Sequence, residues 1–345
     1  MTKQIHIGGV PIGGGAPVSI QSMCNTPTED VEATVAQIHR LEQAGCDIIR
    51  VAVPNKEAAR AVGAIKERIS IPLVVDIHFD YRLALEAVAA GADKVRINPG
   101  NIGGEDRVKA VAQACRAKGV PIRIGVNGGS LEKGLLEKYG GVTPEALVES
   151  AFGHIALLNK FDFDDICVSL KSSDVRTTMA AYRLMSERSG YPLHLGVTET
   201  GTRRMGVIKS AVGIGGLLGF GIGDTLRVSL SADPVEEVYA ARDILKALGI
   251  RKDGPDLISC PTCGRTKIDL IGLAEEVERR LQAVDKPITV AVMGCVVNGP
   301  GEASAADVGI AGGDGVGLLF RRGEIVKKVP QEQLVDELFQ MIDEL

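Results

Sequence analysis

The chain has no tryptophan, and aromatic residues make up only 3% of its 345 positions. A core cannot rest on rings, so it has to be built from Val, Ile, Leu and Ala. The same scarcity removes the stacking platforms on which single-stranded nucleic acid is held. A basic excess is missing as well: net charge is −5 and the pI about 5.7, so no global field draws in nucleic acid or an anionic membrane. No uninterrupted apolar run approaches the roughly 20 residues of a membrane span. The start, Met1-Thr2-Lys3-Gln4-Ile5-His6-Ile7, has no charged head followed by an apolar stretch. Seven cysteines without a secretory leader point to a reducing, cytoplasmic setting, where paired thiols bind metal more often than they form disulfides.

From Val18 to about Gly249 one unit recurs: a short aliphatic run, a polar or Gly-rich turn, then a helical pattern. The aliphatic runs are Val18–Ser22, Asp47–Val53, Leu73–Ile77, Lys94–Asn98, Pro121–Val126, Asp165–Leu170, His194–Val197 and Thr225–Leu230. Helix signals agree with the spaces between them. Thr143-Pro144 and Asp233-Pro234 each set a capping residue before a proline at the first helical position. Eight such units predict an α/β fold, a (β/α)8 TIM barrel; a doubly wound open sheet is the alternative. Ile5–Ile12 reads as a small hairpin able to plug the barrel floor. The glycines of Gly213-Ile214-Gly215-Gly216 lie inside a helical pattern (Met205–Leu218) and do not fit a dinucleotide fingerprint. After a breaker-rich linker at Leu248–Pro255 the pattern changes to a small α+β domain, so residues 1–253 and 254–345 are expected to form two domains. In the second, Ile268–Val284 reads as an amphipathic helix, Ile288–Met293 as a strand, and Gln331–Leu345 as a closing helix. Asp307–Ala311, Gly317–Phe320 and Glu324–Val329 read as short antiparallel strands.

A barrel of this type works at the C-terminal ends of its strands. There the sequence puts Arg50 on strand two, Arg96 and Asn98 on strand four, and Arg123 and Asn127 on strand five. Strand six ends at Lys171, strand seven at Glu199, and strand eight carries Arg227 and Ser229. Cations on five separate strands of an acidic protein suit a ligand with several negative charges, for which a diphosphate is the natural candidate. The competing reading is a structural network in which some of them pair with Asp76, Asp80 or Glu199. Glu199 is either a general acid or base beside the ligand or an ion-pair partner of Lys171 or Arg227. Asp76 and His78 are weaker candidates.

Three cysteines form a second constellation: Cys260-Pro261-Thr262-Cys263, then Gly294-Cys295 before Asn298-Gly299-Pro300-Gly301-Glu302. The other four (Cys24, Cys46, Cys115, Cys167) form no close pair. A Cys-x-x-Cys turn sets two thiolates on one face and a later Cys-Gly neighbourhood supplies a third. The fourth corner is left to water, substrate or a side chain such as Glu302. Zinc is the usual occupant of such a turn in the cytosol, but a closed zinc site takes four Cys or His ligands. All five histidines (His6, His39, His78, His154, His194) precede this domain. An iron–sulfur cluster tolerates one non-cysteine ligand, and the spacing favours it over zinc. The radical-forming Cys-x3-Cys-x-x-Cys pattern is absent.

Cys260-Pro-Thr-Cys263-Gly-Arg-Thr and Met293-Gly-Cys295-Val-Val-Asn-Gly-Pro-Gly-Glu302-Ala closely resemble the cluster domain of bacterial 4-hydroxy-3-methylbut-2-enyl diphosphate synthases of the methylerythritol phosphate pathway. Ser19-Ile-Gln-Ser-Met, Asp76-Ile-His-Phe-Asp-Tyr-Arg, Val95-Arg-Ile-Asn-Pro-Gly-Asn and Ile124-Gly-Val-Asn-Gly-Gly-Ser resemble that family's strand-end motifs. So do Ser169-Leu-Lys-Ser-Ser and Gly196-Val-Thr-Glu-Thr-Gly. The resemblance spans the chain in order and implies reductive ring opening and dehydration of 2-C-methyl-D-erythritol 2,4-cyclodiphosphate. It implies a [4Fe–4S] cluster on Cys260, Cys263, Cys295 and Glu302, the last an exchangeable carboxylate ligand with a catalytic part. Arg50, Asp76, Arg96, Asn98, Arg123, Asn127, Lys171, Arg227 and Ser229 would bind substrate, with Glu199 as acid or base. It also implies a ferredoxin or flavodoxin as electron donor.

Connectivity adds an expectation about assembly. The eighth helix ends at the barrel floor, and a dozen extended residues reach ~40 Å at most. A head-to-tail homodimer is expected, the cluster domain of one subunit capping the mouth of the other. The rivals are a zinc-stabilised barrel lyase or hydrolase acting on a phosphorylated substrate, a non-enzymatic electron carrier with no use for the cation ring, and a pterin-binding barrel.

Overall fold

The computed structural model describes residues 1–98, 100–252, 254–266, 268–295, 301, 303–313 and 315–345. The chain forms two compact units, Met1–Ile250 and Arg251–Leu345.

The first unit opens with a hairpin of β1 (Ile5–Ile7) and β2 (Val10–Ile12). Eight parallel strands follow: β3 (Ser19–Met23), β4 (Ile48–Ala52), β5 (Leu73–Asp76), β6 (Lys94–Ile97), β7 (Ile122–Asn127), β8 (Ile166–Lys171), β9 (His194–Leu195) and β10 (Thr225–Leu226). Each pairs with its neighbours in chain order, β10 pairs with β3, and a parallel bridge between Val168 and Leu193 joins β8 to the start of β9. This is the barrel the repeating pattern predicts. Its strands are aliphatic because ring and helices bury both faces. Thr143 and Asp233 cap their helices as the sequence indicates, and Asp30, Asn55, Asp80 and Asp174 likewise each accept a first-turn backbone N–H. Ile5, Ile7 and Ile12 pack against Ile48 and Val74, near the starts of β4 and β5, and Cys167. The hairpin therefore plugs the end opposite the mouth.

Two expectations fail near the last strands. β9 and β10 are two residues long, not the runs His194–Val197 and Thr225–Leu230. Beyond them the ladder persists only locally, as where Arg227 N donates to Leu195 O at 2.9 Å. The helix expected over Met205–Leu218 runs from Arg203 to Ser210, widens to a π-helix over Ala211–Gly215, and resumes at Gly216–Leu218. Close packing accounts for the glycines there: a Cβ on Gly213 would lie 2.6 Å from Val197 Cγ2. A helix at Lys133–Tyr139 was not among the predicted elements.

The second unit is a five-stranded sheet in the order β11 (Asp256–Ser259), β12 (Thr289–Met293), β13 (Val308–Gly312), β14 (Val316–Arg321), β15 (Glu324–Pro330). β11, β12 and β13 are parallel, and β14 and β15 antiparallel, so β13 pairs in parallel on one side and antiparallel on the other. Helices Leu270–Leu281 and Leu334–Asp343 share a core with the sheet, including Val277, Leu281, Val290, Ile310, Leu319, Leu334 and Leu338. β11 escaped the sequence reading because it is an exposed edge strand with no two-residue periodicity.

Candidate active site

Strand register sets the mouth. Met23 pairs with Arg50, Asp76 with Arg96, Arg96 with Arg123, and Asn127 with Lys171, so the charged residues fall in adjoining rows. Asp76 is buried among the cations. Its Oδ1 accepts from Arg96 Nη1 at 2.9 Å and its Oδ2 lies 3.6 Å from Arg50 Nη1. Arg96 also donates to Gly125 O at 3.4 Å. With its amide turned to satisfy both atoms, Asn127 accepts from Arg96 Nη2 at 3.1 Å. Asn98 is buried and accepts from Gly100 N at 3.2 Å. Ser229 is half-buried, and its carbonyl accepts from the Thr200 hydroxyl, which ties the loops after β9 and β10 together.

The backbone leaves room for this crowding. A Cβ on Gly125 would lie 2.5 Å from Arg96 Nε, and one on Gly196 would lie 2.6 Å from Lys171 Nζ. Either side chain would displace a cation.

Burial works against the charge on Asp76, but Arg50, Arg96 and Arg123 hold its carboxyl down at about 2. Burial first, then the charge of Arg96, pushes Arg123 down to about 10, with Asp76 opposing. Arg50 is pulled down by burial and by Arg123, Arg227 and Arg96, against the support of Asp76. Lys171 is driven far below the usual lysine range by burial and by four guanidiniums, those of Arg123, Arg50, Arg227 and Arg96. Contacts on Asp76 and on the Met23 sulfur bring Arg50, Arg96 and Arg227 together, and strand pairing sets Arg123 beside Arg96. Arg123 Nε and Nη1 and Arg96 Nε are buried N–H groups with no partner among the described residues. Buried unsatisfied donors of this kind are costly, and an anionic ligand would satisfy them.

The predicted structural network exists only in part. Arg50 and Arg96 share Asp76, whereas Asp80 caps its own helix and pairs with Arg82. Arg227 pairs with Glu237 at 3.2 Å, not with Glu199. Glu237, on the helix after β10, was missed. It is buried, accepts from Leu230 N at 3.0 Å, and takes a longer contact of 3.4 Å from Ser22 Oγ. Met23 was missed too: its sulfur accepts from Arg50 Nη2 at 2.8 Å and Nε at 3.1 Å, and lies 3.6 Å from Arg227 Nη1. No motif marks a helix carboxylate or a thioether as an arginine partner, so only the packed fold reveals them.

Glu199 is exposed, and among the described residues it makes no ion pair. Its φ is +53°, a left-handed backbone at a non-glycine residue. Such a conformation costs roughly 1–3 kcal/mol and tends to persist where a site needs it. His78 is exposed, with its ring tilted against Phe79.

In the second unit, Cys260 follows β11 and Cys295 follows β12, two adjacent parallel strands whose last paired residues are Ser259 and Val292. Gly294 N donates to Cys260 Sγ at 3.1 Å, which brings the two segments together. Cys263 is held in a turn with Thr266, through Cys263 N to Thr266 Oγ1 at 3.2 Å and Thr266 N to Cys263 O at 3.0 Å. Hydrogen bonds from Arg265, backbone first and then side chain, lower the pKa of the exposed Cys263 thiol. All three thiols are free. Among the described residues no group of three His, Cys, Asp or Glu side chains is drawn tight enough to hold a metal ion, and Glu302 lies outside the described residues. The donor chemistry still fits an iron–sulfur cluster: thiolates at the end of a parallel strand pair, with a backbone N–H already bonded to sulfur.

Among the described residues no helix is long and apolar enough to cross a membrane. Residues 2–242 match the GcpE TIM-barrel domain and residues 256–344 the GcpE protein C-terminal domain. A protein of Caldanaerobacter subterraneus subsp. tengcongensis named 4-hydroxy-3-methylbut-2-en-1-yl diphosphate synthase (flavodoxin) is 60% identical, over 100% of this chain and 97% of its own length. One of the same name from Geobacter sulfurreducens is 60% identical, over 100% and 98%. These are the enzymes whose motifs the chain resembles. Among solved structures, dihydropteroate synthase of Yersinia pestis superposes with TM-score 0.53 at 15% identity, over 73% of this chain and 100% of its own. A type I 3-dehydroquinate dehydratase of Clostridium difficile gives 0.52 at 15%, over 72% and 98%. At that identity the likeness shows the barrel fold alone.

Proposed function

The chain belongs to the GcpE family, and from that premise we propose that it opens and reduces 2-C-methyl-D-erythritol 2,4-cyclodiphosphate to 4-hydroxy-3-methylbut-2-enyl diphosphate. The observation that carries the proposal is the ring of five buried or half-buried basic side chains, in which N–H groups of Arg96 and Arg123 have no partner among the described residues and ask for a polyanion. The balance is simple: the cyclic dianion takes two electrons and a proton, and leaves as a trianion and water. Arg50, Arg96, Arg123, Lys171 and Arg227 grip the diphosphate, with Asn98, Asn127 and Ser229 at its edges. Asp76 fixes the guanidiniums of Arg96 and Arg50 so that they meet the ligand already oriented. Glu199, presented by its left-handed backbone, handles the proton near the reacting carbons.

Cys260, Cys263, Cys295 and Glu302 would hold a [4Fe–4S] cluster, which when bound supplies the two electrons. We assign substrate binding to residues 1–253 and cluster binding to 254–345. The electron donor is a flavodoxin, as the relatives' names indicate, or a ferredoxin of like role, and the setting is cytoplasmic. The helix Pro234–Ala247 runs back from the mouth, so the chain leaves the barrel on its floor side at Ile250. This supports a head-to-tail homodimer in which the second domain of one subunit serves the mouth of its partner. The test is anaerobic purification with iron, sulfide and zinc analysis, followed by turnover of the cyclic diphosphate under a strong reductant. About four irons and four sulfides per chain, with product formed, is the expected result. One zinc without sulfide after reconstitution would overturn the proposal.

A further inference from the structure

Each arginine of the ring has an anionic neighbour or lies in the field of one. Arg50 and Arg96 share Asp76, Arg123 feels the same carboxylate, and Arg227 is paired with Glu237. Lys171 differs. Among the described residues no hydrogen bond or ion pair reaches its Nζ, although the residue is only 8% exposed. Its Nζ occupies the space that Gly196 leaves open. The charged or titratable groups facing it are the guanidiniums of Arg50, Arg96, Arg123 and Arg227 and the buried ring of His194. Asp76 and Glu237, the buried carboxylates of the ring, are already committed to arginines.

Arginine keeps its proton in proteins, so crowding among these cations can be relieved only at the lysine. We infer that Lys171 is a neutral amine in the empty barrel and takes up a proton when the diphosphate arrives, so that substrate binding is proton-coupled. The inference rests on the diphosphate reading of the site. Burial and the four guanidinium charges, which hold the Lys171 pKa far below the usual lysine range, act in the same direction. An arriving dianion offsets those charges and restores the ammonium. The ligand brings no proton of its own to confuse the count. Each phosphorus of a cyclic diphosphate carries one strongly acidic hydroxyl, and both are fully ionised near neutral pH. One other buried lysine could answer to the ligand. Lys94, two residues nearer the floor than Arg96, donates to Gln21 Oε1 at 3.0 Å and is pushed down to about 7, chiefly by burial.

The test is calorimetric titration of the full chain, purified anaerobically, with the cyclic diphosphate at pH 7.5 in buffers of differing ionisation enthalpy. Heat plotted against buffer enthalpy should give uptake of about one proton, and Kd should rise about tenfold from pH 7.5 to 8.5. Lys171→Arg, charged at every pH used, should bind with buffer-independent heat, whereas Lys94→Gln should keep the wild-type slope. A zero slope in the wild type overturns the inference. So does loss of the slope in Lys94→Gln, or its persistence in Lys171→Arg. Absence of any binding would overturn the diphosphate reading itself.

Discussion

In the barrel, Arg50, Arg96, Arg123 and Lys171 are each 9% exposed or less and stand on strand residues held by paired neighbours. In the second unit, Cys263 is exposed, Cys260 and Cys295 are half-buried, and all three lie in loops beyond strand ends. Like charges repel, and a buried cluster of them survives only if the scaffold holds it in place while carboxylates such as Asp76 partly balance it. Thiolates carry no such requirement, because a metal centre supplies the energy that gathers its own ligands. Rigid strands therefore carry the charge, and loops carry the proposed cluster ligands.

The contrast can be broken most sharply at the cysteines. Cys295→Ala should lose its iron and sulfide and fall to background turnover, while its affinity for the cyclic diphosphate stays at the wild-type level. Iron assay and calorimetry on the same sample check both halves. Mixing this variant with Glu199→Gln under subunit exchange should restore part of the activity. Mixed dimers that form but stay inactive would refute the shared site.

A smaller effect, confined to the barrel, is expected at Asp76→Asn. Removing the buried carboxylate leaves Arg50 and Arg96 unbalanced, at a cost of about 3–5 kcal/mol, with iron content unchanged. Because the Asp76 pKa is lowered from 3.8 to about 2, its contribution is fully present above 3.8 and is lost as pH falls through about 2. The stability gap between wild type and variant should narrow over that interval, by about 2.5 kcal/mol, in denaturant titrations. A gap independent of pH would mean that the carboxylate is not the balancing charge.

The mildest change is Glu237→Gln. It keeps an acceptor for Leu230 N but removes the charge that anchors Arg227, at roughly 1.5 kcal/mol. KM should rise about tenfold, with kcat affected less. An unchanged KM would show that Arg227 holds its place without Glu237.

Much of this was legible in the chain, and the reason is periodicity. The eight strand–helix units repeat a local pattern, and the cations sit at the ends of its aliphatic runs, so a linear reading locates Arg50, Arg96, Arg123, Lys171 and Arg227 at one mouth. The cysteine motif is likewise local, as are the caps at Thr143 and Asp233. The rest depends on contacts that no local pattern encodes. Met23 meets Arg227 across 204 positions, Ser22 approaches Glu237 across 215, and edge strand β11 is defined by its pairing with β12. The widened turn at Ala211–Gly215, the left-handed Glu199 and the space beside Gly196 also follow from how neighbouring elements crowd one another. Sequence by itself determined the number and order of elements and the chemical types gathered at the mouth, because hydrophobic period and strand ends are local properties. Tertiary structure alone decided which basic side chain has a counter-charge and which, like Lys171, has none among the described residues. Charge balance inside a barrel is set by distances between residues far apart in the chain.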